Sequence, residues 1–239
     1  MSKETPVSTS PYHLRGALVV PRNATGIVLF AQGHGTHRQG ARNEFVTRML
    51  NSARLGTLLL DLATPEEEVQ SRHAVQAGPS LSELAERLWL ATEWVKSEGT
   101  LRELPVGYFG SSTDAAAALI AAAEHPEAIS AVVCSGGRLD LLEAGTLLAV
   151  RAPTLFVVGG NDPEVLQWTE EAHQQMDCEA KVEIVPRAGH RFEEPGALAC
   201  VGTLAAAWFA AQLSPNARRR ERLSSTSEWR PGNPLLAEP

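Results

Sequence analysis

The chain has 239 residues, of which 44% are hydrophobic and 21% charged, with a net charge of −7. That balance is ordinary for a soluble globule and excludes a wholly disordered chain, a collagen and a disulfide scaffold. At about 150 residues per domain the length fits one α/β domain, large enough to fold without metal or disulfides.

The acidic balance, with a pI of about 5.5, argues against a general nucleic-acid binder, which needs cationic side chains to neutralise phosphates. The cysteines, Cys134, Cys178 and Cys200, form no CxxC pair. Neither a zinc site nor a disulfide framework is implied, and a reducing cytoplasm is the expected compartment. Met1 to Thr25 lacks a basic start followed by a long apolar run, so no signal peptide is expected. Ala197 to Ala217 is uncharged and precedes Arg218-Arg219-Arg220. However, Leu198, Val201, Ala205 and Trp208 recur at spacings of three and four, the stripe of a helix packed on a core. No membrane span is expected.

In chain order, Tyr12 to Val20 reads as an edge strand and Gly26 to Ala31 as a buried strand. Ala41 to Arg54 is an amphipathic helix, and Thr57 to Leu62 the next strand. Ser80 to Lys96 is a helix with Gly99 just past its end. Pro105 to Gly110 is a strand and Ser112 to Glu124 an Ala-rich helix. Ile129 to Cys134 is a strand, followed by a short helix over Leu139 to Ala149. Pro153 to Gly160 is a strand, and Pro163 to Met176 a helix with proline in its first turn. Lys181 to Val185 is the last strand and Gly196 to Leu213 the last helix. Continuous apolar strands alternating with helices predict an α/β fold, a mostly parallel central sheet covered by helices on both faces. Residues 1–213 form the expected single domain. The Pro-, Arg- and Ser-rich stretch 214–239 reads as a disordered tail, and Ala63 to Pro79 as a second loose region.

The sharpest chemical signal is Gly107-Tyr108-Phe109-Gly110-Ser111-Ser112-Thr113-Asp114-Ala115, where a strand hands over to a helix. A nucleophile on so tight a turn needs small neighbours, and Gly110 lies two before Ser112. Ser111 is a rival, but its frame puts Phe109 where the small residue belongs. Ser112 could also be no more than a helix cap. Asp162 opens the helix after another strand, and alone it too reads as a cap. His190 follows the last strand. The order Ser112, Asp162, His190, each on a loop after a strand, is that of an α/β-hydrolase triad. In such a triad His190 takes the proton of Ser112, and Asp162 fixes the tautomer of His190. The loop Gln32-Gly33-His34-Gly35 follows an early strand. The backbone N–H groups of His34 and Thr113 are the expected oxyanion donors. His34 and His37 without a nearby carboxylate do not make a metal site. No metal or other cofactor is expected.

These strings resemble the α/β-hydrolase superfamily and, more narrowly, the dienelactone hydrolase-like family. The narrower resemblance rests on Gly33-His34-Gly35-Thr36 with Arg38 and Arg42-Asn43, Leu60-Asp61-Leu62-Ala63-Thr64-Pro65-Glu66-Glu67-Glu68, the Ser112 turn, Ser135-Gly136-Gly137-Arg138, and His190-Arg191-Phe192-Glu193-Glu194-Pro195-Gly196. Dienelactone hydrolases proper carry a cysteine nucleophile at the position of Ser112, so the resemblance implies a serine carboxylesterase. Two positions depart from the family. Its oxyanion loop usually reads His-Gly-Ser-Gly, against Gln32-Gly33-His34-Gly35 here. Asp114 stands where its elbow has a second glycine. If that carboxylate faces the oxyanion, repulsion of about 2–3 kcal/mol slows the reaction. If it points away, it acts as a first-turn helix acid. The first orientation is the expected one.

The functional expectation is a serine hydrolase that cleaves a small soluble ester or lactone, working as a monomer or homodimer. Arg138 to Arg151 is too short for a cap domain. The alternatives are a thioesterase or acyltransferase with the same triad, and a degenerate hydrolase fold serving as a binding module. Phosphoryl transfer is disfavoured, because no Gly-rich loop ending in Lys-Ser/Thr is present.

Overall fold

A computed structural model describes residues 3–8, 12–33, 41–64, 67 and 78–214. Eight strands form one sheet: β1 (Lys3–Ser8), β2 (His13–Val19), β3 (Gly26–Ala31), β4 (Leu55–Asp61), β5 (Val106–Ser111), β6 (Ile129–Ser135), β7 (Thr154–Gly159) and β8 (Ala180–Val185). Their order across the sheet is β1-β2-β4-β3-β5-β6-β7-β8. β1 and β2 pair antiparallel, as do β2 and β4, and every pairing from β4 to β8 is parallel. The helices are α1 (Ala41–Ser52), α2 (Leu81–Ser97), α3 (Thr113–Glu124), the single turn α4 (Thr146–Ala149), α5 (Pro163–Gln174) and α6 (Ala197–Gln212).

Successive strand residues face opposite sides, so one apolar run feeds two cores. Ile27, Leu29 and Ala31 of β3 join Leu84 and Leu88 of α2 and the alanines of α3. Val28 and Phe30 join Val46 and Leu50 of α1 and Val201 and Phe209 of α6. Helices therefore cover both faces of the sheet, as the apolar strands require. α2 starts on a capping box, in which Ser80 and Glu83 bond each other's backbone N–H.

Two expectations are corrected. The strand near Tyr12 is not an edge. β1 lies outside it, a strand whose Lys, Glu and Pro hid it from an apolar-pattern search and are typical of sheet edges. The helix expected over Leu139 to Ala149 is instead a 3₁₀ turn, Leu139–Leu141, and the one-turn α4, broken where Gly145 adopts a left-handed conformation. Between β6 and β7 nothing forms a cap domain. No described helix is long and apolar enough to cross a membrane. The expected tail, from residue 215 onward, and most of Ala63 to Pro79 lie outside the described residues.

Candidate active site

The candidate residues gather at the carboxyl ends of β5, β7 and β8. Ser112 sits between β5 and α3 at φ 51° and ψ −124°, a left-handed conformation that a non-glycine residue adopts only where its surroundings hold it. They hold it firmly. Its N–H donates to the Ser135 carbonyl (3.1 Å), and its own carbonyl accepts from Arg138 (3.0 Å) and Ala115 (3.2 Å). Gly110 makes the turn possible, since a Cβ there would lie 2.6 Å from the Ala115 Cα and 2.7 Å from the Asp114 carbonyl oxygen.

Ser112 opens α3, yet its hydroxyl makes no capping bond. It lies 3.3 Å from Nε2 of His190 instead. Asp162 likewise opens α5 without capping it, and its Oδ2 lies 2.8 Å from Nδ1 of His190. The capping alternatives are thus not what these side chains do. Asp162 is the more buried of the pair, with 14% of its side chain exposed against 41% for His190. The two loops are tied together. The Asn161 N–H donates to the Ala188 carbonyl (2.8 Å), and its side-chain amide donates to the Arg187 carbonyl (2.9 Å). The Glu194 carboxylate accepts the Gly189 N–H, while Phe192 is buried below.

Thr113 is the first residue of α3, so its N–H has no carbonyl one turn back and is available to an anion beside Ser112. His34 lies outside the described residues. The chain leading to it is held in two ways. The Gln32 carbonyl accepts from the Leu62 N–H (2.8 Å), and the Gly33 N–H donates to Oδ1 of Asp114 (3.0 Å). Asp114 thus points toward the loop after β3. The residue is only 2% exposed and spends an oxygen on a backbone N–H of the β3 loop.

Residue types alone missed one further structure. Arg87 of α2, 2% exposed, donates to the Leu62 carbonyl (2.6 Å) and grips Glu67 with both terminal nitrogens (2.6 and 2.7 Å). Tyr12 stacks 4.3 Å from its guanidinium carbon. The chain beyond β4 is so fixed, and through Leu62 the end of β3 with it. Bonding to Arg87 holds the Glu67 carboxyl below its ordinary range. Cys134 faces Gly110 across the sheet, but full burial pushes its thiol far above the usual range, which leaves it no part as a nucleophile. Among the described residues no cluster of His, Cys, Asp and Glu could hold a metal.

No protein-family model matches the chain. Two Mycobacterium tuberculosis proteins provisionally named phosphoribosyl transferases are 42% identical over 207 residues. Those residues are 87% of this chain and 46% of the relatives, so the chain spans about half the length of the curated relatives it matches. The esterase Est1E from Butyrivibrio proteoclasticus, at 15% identity, shares the fold with a TM-score of 0.71, over 89% of this chain and 99% of that one. A dienelactone hydrolase from Anabaena variabilis is 45% identical, with a TM-score of 0.85, over 89% of this chain and 98% of that one. With identity and coverage of that order across an α/β-hydrolase fold, the chain belongs to the dienelactone hydrolase family.

Proposed function

We propose that the chain is a serine hydrolase of small soluble carboxylic esters or lactones. The observation that carries this reading is the line from Asp162 through His190 to Ser112, 2.8 Å and 3.3 Å, ending on a serine in a left-handed turn. Fold and family point the same way, since the solved relatives include a dienelactone hydrolase and esterases.

In the proposed reaction Ser112 Oγ attacks the ester carbonyl carbon while Nε2 of His190 takes the hydroxyl proton. Asp162 orients the ring and stabilises the imidazolium. The carbonyl oxygen, now anionic, accepts from the Thr113 N–H and from that of His34. Collapse breaks the bond to the leaving alkoxide, which collects the proton from His190. Water, deprotonated by the same ring, then releases the acid and restores Ser112.

Among the described residues the connection between β6 and β7 carries no cap domain, which supports a small acyl group as the substrate. A serine-directed fluorophosphonate should label Ser112, and nitrophenyl esters graded by acyl length should be cleaved fastest at short length. Absence of both labelling and cleavage would leave a binding module as the better reading. Transfer of the acyl group to an added alcohol or amine, faster than to water, would favour an acyltransferase. The transferase name of the longer relatives attaches to proteins of which this chain matches 46%, and the triad geometry supports ester chemistry in the matched part.

A further inference from the structure

We infer that Arg138 is a positioning residue, which holds the backbone of Ser112 against the helix that Asp162 opens. The inference rests on the ester-hydrolase reading and extends it to a residue outside the triad.

The hydroxyl and the acid–histidine pair come from opposite sides of β6. Ser112 follows β5, whereas Asp162 and His190 follow β7 and β8. The bonds of Asn161 tie the last two loops to each other, and the chain leaving β6 runs between them and Ser112. The Ser135 carbonyl accepts the Ser112 N–H. Gly136 then turns at φ 59°, with its N–H still on the Val157 carbonyl of β7 (2.9 Å). It passes so near His190 that a Cβ there would lie 3.2 Å from the His190 carbonyl oxygen and 3.7 Å from Cε1 of the ring. Gly137 passes α3 in the same way, since its Cβ would lie 3.1 Å from that of Ala115. Arg138 ends the turn, and its N–H donates to the Ser112 carbonyl at 3.0 Å. Its side chain meets the acid side of the site. The guanidinium carbon stands 4.9 Å from the ring centre of Trp168, in the second turn of α5, the helix that starts directly after Asp162. Backbone and side chain of one residue thus join the support of Ser112 to that of Asp162.

The residue type follows from the two contacts. The edge of the guanidinium is forked onto Asp140, with Nε 2.8 Å from Oδ1 and a terminal nitrogen 2.7 Å from Oδ2. That fork sets the plane of the group, and the plane presents a flat face to the indole. A lysine ammonium has neither a fork nor a face. A half-exposed ion pair adds little to stability, and Asp140 offsets the charge of Arg138, so the value of the pair lies in direction rather than in energy or field. Direction matters here because the Ser112 hydroxyl stands 3.3 Å from Nε2 of His190, at the long end of a hydrogen bond. A displacement near 1 Å at such a site can cost on the order of a hundredfold in rate.

The test compares the native protein with Arg138→Ala, Arg138→Lys, Trp168→Leu, Trp168→Phe and the double variant Arg138→Ala/Trp168→Leu. A short nitrophenyl ester gives kcat and KM, a fluorophosphonate gives the labelling rate of Ser112, and near-UV circular dichroism with melting temperature reports folding. Arg138→Ala and Trp168→Leu should each lower kcat by roughly ten- to a hundredfold, with KM changed less than about threefold, and should slow labelling in parallel. Arg138→Lys keeps the charge without the fork and should still lose at least about fivefold. Trp168→Phe keeps a ring face under the guanidinium and should retain at least about a third of the native kcat. The double variant should be slower than the slower single variant by no more than about twofold, because either change already breaks the link. Should Trp168→Leu fail to fold, the alanine and lysine variants of the half-exposed Arg138 decide the matter. The inference is overturned if folded Arg138→Ala keeps kcat within about twofold of native, or if the loss lies in KM, which would make Arg138 a substrate contact. It is also overturned if Arg138→Lys matches native turnover, since charge alone then suffices, or if the losses multiply in the double variant. A native protein that neither labels nor cleaves esters overturns the hydrolase reading and this inference with it, whereas an active native protein with unchanged variants overturns only the role of Arg138.

Discussion

Nδ1 of His190 stands 2.8 Å from Oδ2 of Asp162, two residues 28 positions apart on loops that follow neighbouring strands. In the proposed reaction that bond selects the tautomer whose Nε2 accepts the proton of Ser112. Ser112→Ala and His190→Ala should each lower ester turnover by about a thousandfold or more, because triad members act as a unit. Neither side chain belongs to the buried core, so the melting temperature should hardly move. Ser111→Ala should remain active. Retention of more than about a tenth of native turnover in Ser112→Ala would remove Ser112 as the nucleophile.

The meeting of Ser112, Asp162 and His190 was legible because these residues obey rules of local sequence. Gly110 and Ser112 mark a strand-to-helix turn, and Asp162 and His190 follow strands read from their apolar runs. The central strands were legible for the same reason. β1 was not, since an edge strand needs no apolar run and Lys3, Glu4 and Pro6 give no period. The orientation of Asp114 was not legible either. It depends on Gly33, 81 residues away, and no local pattern reports which of two loops a side chain will meet. The grip of Arg87 on Glu67 is of the same kind, a contact across 20 residues that a helix-surface reading of Arg87 conceals.

That grip predicts a pH dependence of stability. Glu67 has its carboxyl held below the ordinary range by Arg87 first of all. A depressed carboxyl contributes stability that is full above its unfolded value, roughly pH 4.3, and is lost as pH falls through the lower folded value. Native protein should therefore lose stability on acidification below about pH 4, with the Glu67 share missing in Glu67→Gln. At neutral pH the same substitution leaves a buried guanidinium without its carboxylate and should cost about 2–4 kcal/mol, Glu67 being partly solvated. Urea unfolding midpoints of both proteins between about pH 3 and 8 provide the measurement. Parallel curves across that range would show that the pair does not carry the acid dependence.

Gln32 offers a test of the opposite sign. It is 4% exposed, and neither amide atom of its side chain has a hydrogen-bond partner among the described residues. An unsatisfied buried polar group costs about 1–3 kcal/mol. Gln32→Met keeps the length and removes the amide, so it should raise stability by about 1 kcal/mol or more, or about 2–4 °C in Tm. Thermal unfolding with and without a bound ester analogue checks this. A loss of stability in the unliganded protein would mean that the amide has a partner in solution.

The final prediction concerns how tightly Gly33 is clamped. Its backbone lies outside the left-handed region, so alanine is allowed there by conformation and is opposed only by space. The added methyl would meet the Leu84 Cδ2 and approach Cδ1 to 2.7 Å. Leu84 is wholly buried against the sheet and cannot swing into solvent. Gly33→Ala should therefore cost about 1–3 kcal/mol by overpacking. It should also lower kcat, because relief of the clash draws the Gly33 N–H off Asp114. Leu84→Ala alone leaves a cavity and should cost about 2–5 kcal/mol. In the double variant the new methyl has room and fills part of that cavity. The combined cost should then fall short of the sum by about 1 kcal/mol or more, and turnover should recover toward the Leu84→Ala value. Urea unfolding of the four proteins, with kcat measured on the same samples, closes the cycle. Costs that add to within about 0.5 kcal/mol would show that Gly33 and Leu84 do not press on each other, and the clamp on the β3 loop would then rest on Asp114 alone.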